Sequence, residues 1–272
     1  MRAGRGVAIL LGLTLAHTVA AQDFRGASPP AADADANGLL ESGLPSAAIA
    51  LAAAAAQTRW WGLPGLETRA VSLCAGHRSW RASLGLSQTG EPELGWTALA
   101  LGVGSASASA GAGLRACTRR DRDAPWSASH AFGGGAGVEL GAGAWLALRP
   151  AGAGAPGVRV WASAPQMWTS GAAPPLVRPL ELGVRAGSAT GAWARLVSPR
   201  AGDDGERALG VAIGIAPALA WAEVRDAPLR GAIGLATTLG SLQVDARVDA
   251  HPVLGETVRV GLAWVRVPGT PP

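Results

Sequence analysis

The sequence predicts an all-β chain: a transmembrane antiparallel β-barrel of about 12–14 strands with a short N-terminal helix and plug segment. Three observations carry this. The first residues read as a secretory signal. From about Thr68 onward apolar and polar residues alternate in segments as long as a tilted membrane strand, about 9–11 residues. No stretch is long and apolar enough for a membrane helix, which needs about 20 residues.

Arg2 and Arg5 give a positive start, Val7 to Ala16 is apolar, and Val19-Ala20-Ala21 places small residues before a cleavage expected ahead of Gln22. The expected organisation is a signal peptide over 1–21, a flexible leader over 22–44, a helix and Gly/Pro turn over 45–66 that plugs or caps the barrel, and the barrel over 67–268. The leader contains Pro29-Pro30 and Ala31 to Asn37. The helix is expected because Ala47 to Ala56 is almost pure alanine behind Pro45, which suits a first helical turn. Trp60 to Leu66 then forms the turn.

The clearest strand is Ser241 to Ala250. Leu242, Val244, Ala246, Val248 and Ala250 alternate with Gln243, Asp245, Arg247 and Asp249, so one face is apolar and the other polar. Trp80 to Ser87, Leu180 to Gly187 and Val258 to Val265 repeat the pattern. Turn-like stretches separate such segments at Thr89 to Pro92, Arg120 to Pro125, Pro150 to Pro156, Gly171 to Pro175, Arg200 to Glu206 and His251 to Gly255. An arginine near the midplane of a lipid-facing surface costs about 2–4 kcal/mol. The alternation therefore assigns Arg81, Arg115, Arg119, Arg159, Glu181, Arg185, Asp245, Arg247, Asp249 and Arg259 to the lumen. There they serve as ion-pair ladders between strands, line a polar channel or anchor a segment in the lumen. A soluble β-sandwich is the competing architecture, since it shares alternating strands with frequent turns.

Composition narrows the function. The chain has 23 basic and 19 acidic residues, and loss of Arg2 and Arg5 leaves 21 against 19, a charge of +2. No basic cluster interleaved with aromatics is present, which excludes nucleic acid as a partner. There are 11 Trp but no Tyr and 2 Phe, so tryptophan serves either at membrane interfaces or in core packing. Cys74 and Cys117 fall on strands that are not neighbours and are expected as free, buried thiols. No pair of histidines or cysteines has metal-ligand spacing, and no cofactor motif occurs; Gly133 to Gly135 and Gly141-Ala142-Gly143 are not followed by Lys-Ser/Thr and are read as sites of bending or of close approach by a plug. Asp249-Ala250-His251 puts a carboxylate and an imidazole on one strand face. A barrel-borne hydrolase using them with a serine is the alternative to a chain with no catalytic residues.

At its N-terminal end the chain resembles the PorV-type family of outer-membrane barrels, relatives of the FadL-like transporters. Ala50-Leu51-Ala52 matches that family's small-residue element. Trp61, Gly65 and Leu66 match its turn, with Gly62, Leu63 and Pro64 in place of Asn, Pro and Ala, and with Ala53-Ala54 where an acidic pair is common. The resemblance covers about 20 residues. It implies a barrel of about 14 strands with the N-terminal segment tucked into the lumen. It also implies a place in the bacterial outer membrane among its lipids, and a role in passing a hydrophobic small molecule or in assisting secretion-system proteins.

Overall fold

The chain forms one closed antiparallel barrel of fourteen strands, each hydrogen-bonded to its sequence neighbours and the first to the last. The computed structural model describes residues 37–63, 65–91, 94–121, 136–149, 157–171, 180–187, 189–198, 205–226 and 229–266. The expected signal peptide and most of the leader lie outside them, as do Gly133 to Gly135. The strands are β1 (Leu51–Arg59), β2 (Glu67–His77), β3 (Trp80–Glu91), β4 (Leu94–Ala106), β5 (Ala110–Asp121), β6 (Ala136–Arg149) and β7 (Val158–Gly171). They continue through β8 (Leu180–Gly187), β9 (Gly191–Ser198), β10 (Glu206–Ile215), β11 (Ala218–Asp226), β12 (Leu229–Leu239), β13 (Leu242–His251) and β14 (Gly255–Arg266). A single short helix, α1 (Gly38–Ser42), precedes them among the described residues.

The two-residue alternation sorts side chains as the sequence predicts. Val71, Leu84, Leu101, Leu182, Leu209, Ile233 and Leu262 are exposed on the outer face, Val71 at 54%. Arg81, Arg115, Arg185, Arg247 and Arg259 are buried on the inner one. A closed ladder with an apolar exterior is how strands satisfy their backbone groups in lipid, so this is a transmembrane β-barrel and the sandwich alternative is overturned.

The expected helix over 45–58 is not formed. Leu51 to Arg59 is β1, paired on one side with β14, Leu51 to Arg266 through Arg59 to Val258, and on the other with β2. The barrel therefore begins at Leu51, not at 67. Alanine's helical preference is worth only tenths of a kcal/mol per residue, about 0–0.7 against ordinary residues. A strand wedged between two others gains two hydrogen-bonding ladders, and without β1 both β2 and β14 would expose polar edges to lipid.

The helix lies earlier, within the expected leader. Gly43 ends it with a left-handed backbone, φ 72°, and the Leu44 N–H returns to the Gly38 carbonyl at 3.1 Å. Residues 37–50 form a strap inside the barrel, whose α1 packs against β3 to β7. Leu40 is completely buried, beside Ala70, Ala98, Ala100 and Cys117. Ile49 packs with Ala52 and Cys74. Both cysteines are buried thiols outside any disulfide, on β2 and β5, as expected. The wall is glycine at the closest approach: a Cβ on Gly143 would sit 2.3 Å from the Ser42 carbonyl, and one on Gly113 would sit 2.6 Å from Leu39. The reading of Gly143 as a site of close approach by a plug is thereby met.

The outer face supplies the test of membrane placement. Leu101→Arg, midway along β4 and outward, is expected to destabilise the barrel by about 2–4 kcal/mol in lipid. Urea titration of liposome-folded protein, read by tryptophan fluorescence, measures this; an unchanged midpoint would contradict a lipid-facing outer surface.

Candidate functional site: the inner wall and its strap

The strap is held through its backbone. Arg115 donates from Nε to the Leu40 carbonyl at 2.6 Å and from Nη1 to the Pro165 carbonyl at 2.6 Å. The Ser163 hydroxyl donates to the Ser42 carbonyl at 2.7 Å, and Trp145 Nε1 to the Pro45 carbonyl at 2.9 Å. Arg81 donates from Nε to Ser46 and from Nη2 to Ala47, both at 2.8 Å. Five carbonyls, two at the end of α1 and three in the irregular chain after it, thus each find a donor on the wall. The Pro165 carbonyl is available to Arg115 because the β6–β7 ladder shifts register between Leu140 and Ala142. Proline lacks the N–H that a regular ladder would use there.

Above and beside the strap the wall carries a ladder of charges. Arg195 bonds Glu223 at 2.6 Å and Glu181 at 2.8 Å. Arg225 bonds Glu223 at 2.7 Å and approaches Glu206 and Asp249 at 3.6 and 3.5 Å. Arg247 chelates Asp249, and Arg230 pairs with Glu206. A second group joins Arg115 and Arg119 to Glu139, 3.8 and 3.9 Å away. The Glu139 side chain is 1% exposed, a depth at which a carboxylate requires compensating charge.

Tryptophan forms the complementary surface. Trp145, Trp161, Trp193 and Trp221 face inward and are buried in one cluster with Ala106, Ala212 and Ala232. Each lies directly across from a glycine on the next strand: Gly111, Gly183, Gly210 and Gly234 respectively. A Cβ at Gly183 would come within 2.1 Å of the Trp161 ring, so the indole lies flat in space that only glycine leaves. Arg159, Arg185 and Arg247 stack over Trp145, Trp193 and Trp221 at 4.1, 5.7 and 5.0 Å. The outward Trp80, Trp168 and Trp264 stand near strand ends, so tryptophan fills both of the roles its abundance allowed.

All ten residues assigned from sequence to the interior occupy inward positions: six arginines are buried, and Arg159, Glu181, Asp245 and Asp249 are half-buried. The turn residues fare differently. Trp61, Gly65 and Leu66 belong to the connection between β1 and β2 rather than to the plug, and Trp61 takes a positive φ of 51°. Its neighbour Trp60 is buried and donates to the Thr68 hydroxyl at 2.7 Å. Asp249 and His251 do share a face, but the carboxylate is bound to Arg247. His251 Nδ1 accepts the Val253 and Leu254 N–H groups at 3.2 Å. Among the described residues no cluster of His, Cys, Asp and Glu could hold a metal ion.

Sequence reading missed Glu139, Arg195, Glu206, Glu223, Arg225 and Arg230, together with the inward Trp96, Trp145, Trp161, Trp193 and Trp221. The signal was present as the same two-residue spacing: Trp221, Glu223 and Arg225 on β11, and Trp193 with Arg195 on β9.

No protein-family model matches the chain, and no curated protein matches it. Among solved structures it is similar to the outer membrane protein Omp33 of Acinetobacter baumannii, with 10% identity and a TM-score of 0.47, covering 81% of this chain and 99% of that one. It is also similar to the KdgM porin in complex with disordered oligogalacturonate, at 4% identity and 0.45, and to a mutant of the Rh. blastica porin, at 9% and 0.42. Both cover 79% of this chain and 99% of theirs. The barrel itself rests on the strand pairing.

Two outcomes follow from the buried packing. Glu223→Ala, which removes the buried carboxylate shared by Arg195 and Arg225, is expected to cost about 3–5 kcal/mol, whereas Arg207→Ala, breaking an exposed outward pair with Asp226, costs under about 1 kcal/mol. Gly183→Ala is expected to lose about 1–3 kcal/mol by overpacking against Trp161, while Gly231→Ala, where the nearest atom to a new Cβ is 3.9 Å away, is tolerated. Denaturant midpoints in micelles distinguish each pair.

Proposed function

We propose that this chain is an integral barrel of a bacterial outer membrane, without enzymatic activity, that passes a solute through a lumen narrowed by residues 37–50. The observation that carries the reading is the clamped strap. Wall donors from β3, β5, β6 and β7 hold its carbonyls, and α1 lies to one side of the lumen. A fourteen-stranded barrel is wide enough to need filling or to leave a passage. The chain reverses through Arg78-Ser79, Ala216-Pro217 and Gly240-Ser241 at the end where β1 starts, and turns this short belong on the periplasmic side. The residues assigned to the lumen from sequence are then its working surface.

The PorV-type resemblance supplies two finer roles. Passage of apolar molecules asks for a greasy lumen, and the inward ladder of arginine and carboxylate favours a polar solute instead. A secretion accessory, with secretion-system proteins as partners, is the second reading. It draws on Ala50-Leu51-Ala52 standing where the strap enters β1.

Planar-bilayer recording tests the channel. Removing residues 38–46 is expected to raise single-channel conductance severalfold over the intact chain, and equal conductance would remove the strap from any gating role. His251→Ala is expected to leave lipid and peptide hydrolysis at background in both chains; activity that disappears with this substitution would restore the hydrolase.

A further inference from the structure

The inner wall contains three places where arginines stand directly opposite one another on neighbouring strands: Arg159 and Arg185, Arg225 and Arg230, Arg247 and Arg259. Like charges directly opposed in an antiparallel ladder destabilise it. The six arginines of these pairs already equal in number the described inward carboxylates of the wall, Glu139, Glu181, Glu206, Glu223, Asp245 and Asp249. Arg81, Arg115, Arg119 and Arg195 come in addition, and the strap contributes only Glu41. Among the described residues, positive charge therefore exceeds negative on this surface. Stacking of Arg159, Arg185 and Arg247 on indole faces offsets repulsion without neutralising any of that charge.

The pairs are also placed along a route. Arg159 and Arg185 lie near the end where β7 starts and β8 finishes. Arg247 and Arg259 sit midway, and Arg225 and Arg230 stand near the opposite end. All three are on the wall from β7 to β14, whereas α1 packs against β3 to β7. The half of the lumen across from the helix is thus the half with opposed arginines at successive depths. Fixed positive groups lining a low-dielectric cleft concentrate anions and repel cations.

We propose that the lumen selects anions, taking small solutes that bear carboxylate or phosphate groups past the paired arginines. This rests on the reading of the chain as a channel. The full chain and the chain lacking residues 38–46 are recorded side by side in planar bilayers under a KCl gradient, so that a closed native state does not conceal selectivity. The reversal potential is expected to show chloride more permeant than potassium. Arg159→Gln/Arg185→Gln and Arg247→Gln/Arg259→Gln are each expected to bring the permeability ratio severalfold closer to one. Cation preference, or a ratio that neither double variant moves, overturns the proposal. If neither chain conducts, the channel reading fails by itself. Calorimetry of the detergent-solubilised full chain with tripolyphosphate then decides the anion site: binding weakened severalfold by Arg159→Gln/Arg185→Gln sustains it, and no binding overturns it. Heat-modifiable migration on gels confirms that each variant is folded.

Discussion

Everything in this structure follows from one constraint: in hydrocarbon, every backbone N–H and carbonyl must find a partner inside the protein. Fourteen strands meet it only because β1 joins β14. That join imposes the conformation of Leu51 to Arg59 against alanine's own preference. It also fixes the register in which every other side chain points to lipid or lumen. The strap, with only the short α1 as regular structure, obeys the same rule by giving its carbonyls to Arg115, Ser163, Trp145 and Arg81.

The interior is divided between two kinds of packing. Against the strap's apolar side chains it is made of small residues, with Leu40 beside Ala70, Ala98, Ala100 and Cys117, and Ile49 beside Ala52 and Cys74. Along β7 to β14 it is a lattice in which each indole covers a glycine and several carry a guanidinium. Buried ion pairs such as Arg195–Glu223 contribute little net stability relative to apolar packing. What they provide is fixed charge at defined depth, held by partners on adjacent strands. A lumen of this construction is pre-organised toward charged solutes, and that links the ladder to the transport reading.

The helix expected over 45–58 was inferred from composition in a run where alternation is invisible, because Ala52, Ala54 and Ala56 on the inner face match Ala53 and Ala55 on the outer. The plug reading of Trp61, Gly65 and Leu66 rests on their match to the PorV-type turn, a short local motif that does not fix which side of β1 enters the lumen. The interior charges missed on β6 and β9 to β12 were legible in principle. Trp221, Glu223 and Arg225 have the spacing that revealed Asp245, Arg247 and Asp249, but tryptophan at the inward position disguised the polar face.

The sequence by itself determined that the chain is a membrane barrel and which face of most strands meets lipid, because side-chain alternation is a local property of extended backbone. It also placed ten charged residues inside, since the cost of burying arginine in lipid leaves no other choice. Only the tertiary structure decided that the alanine run is the closing strand and that residues 37–50 lie along one side of the lumen. It alone brought arginines from neighbouring strands face to face. Those outcomes depend on which strands become neighbours and in what register, and pairing between distant segments is written in no single stretch of chain.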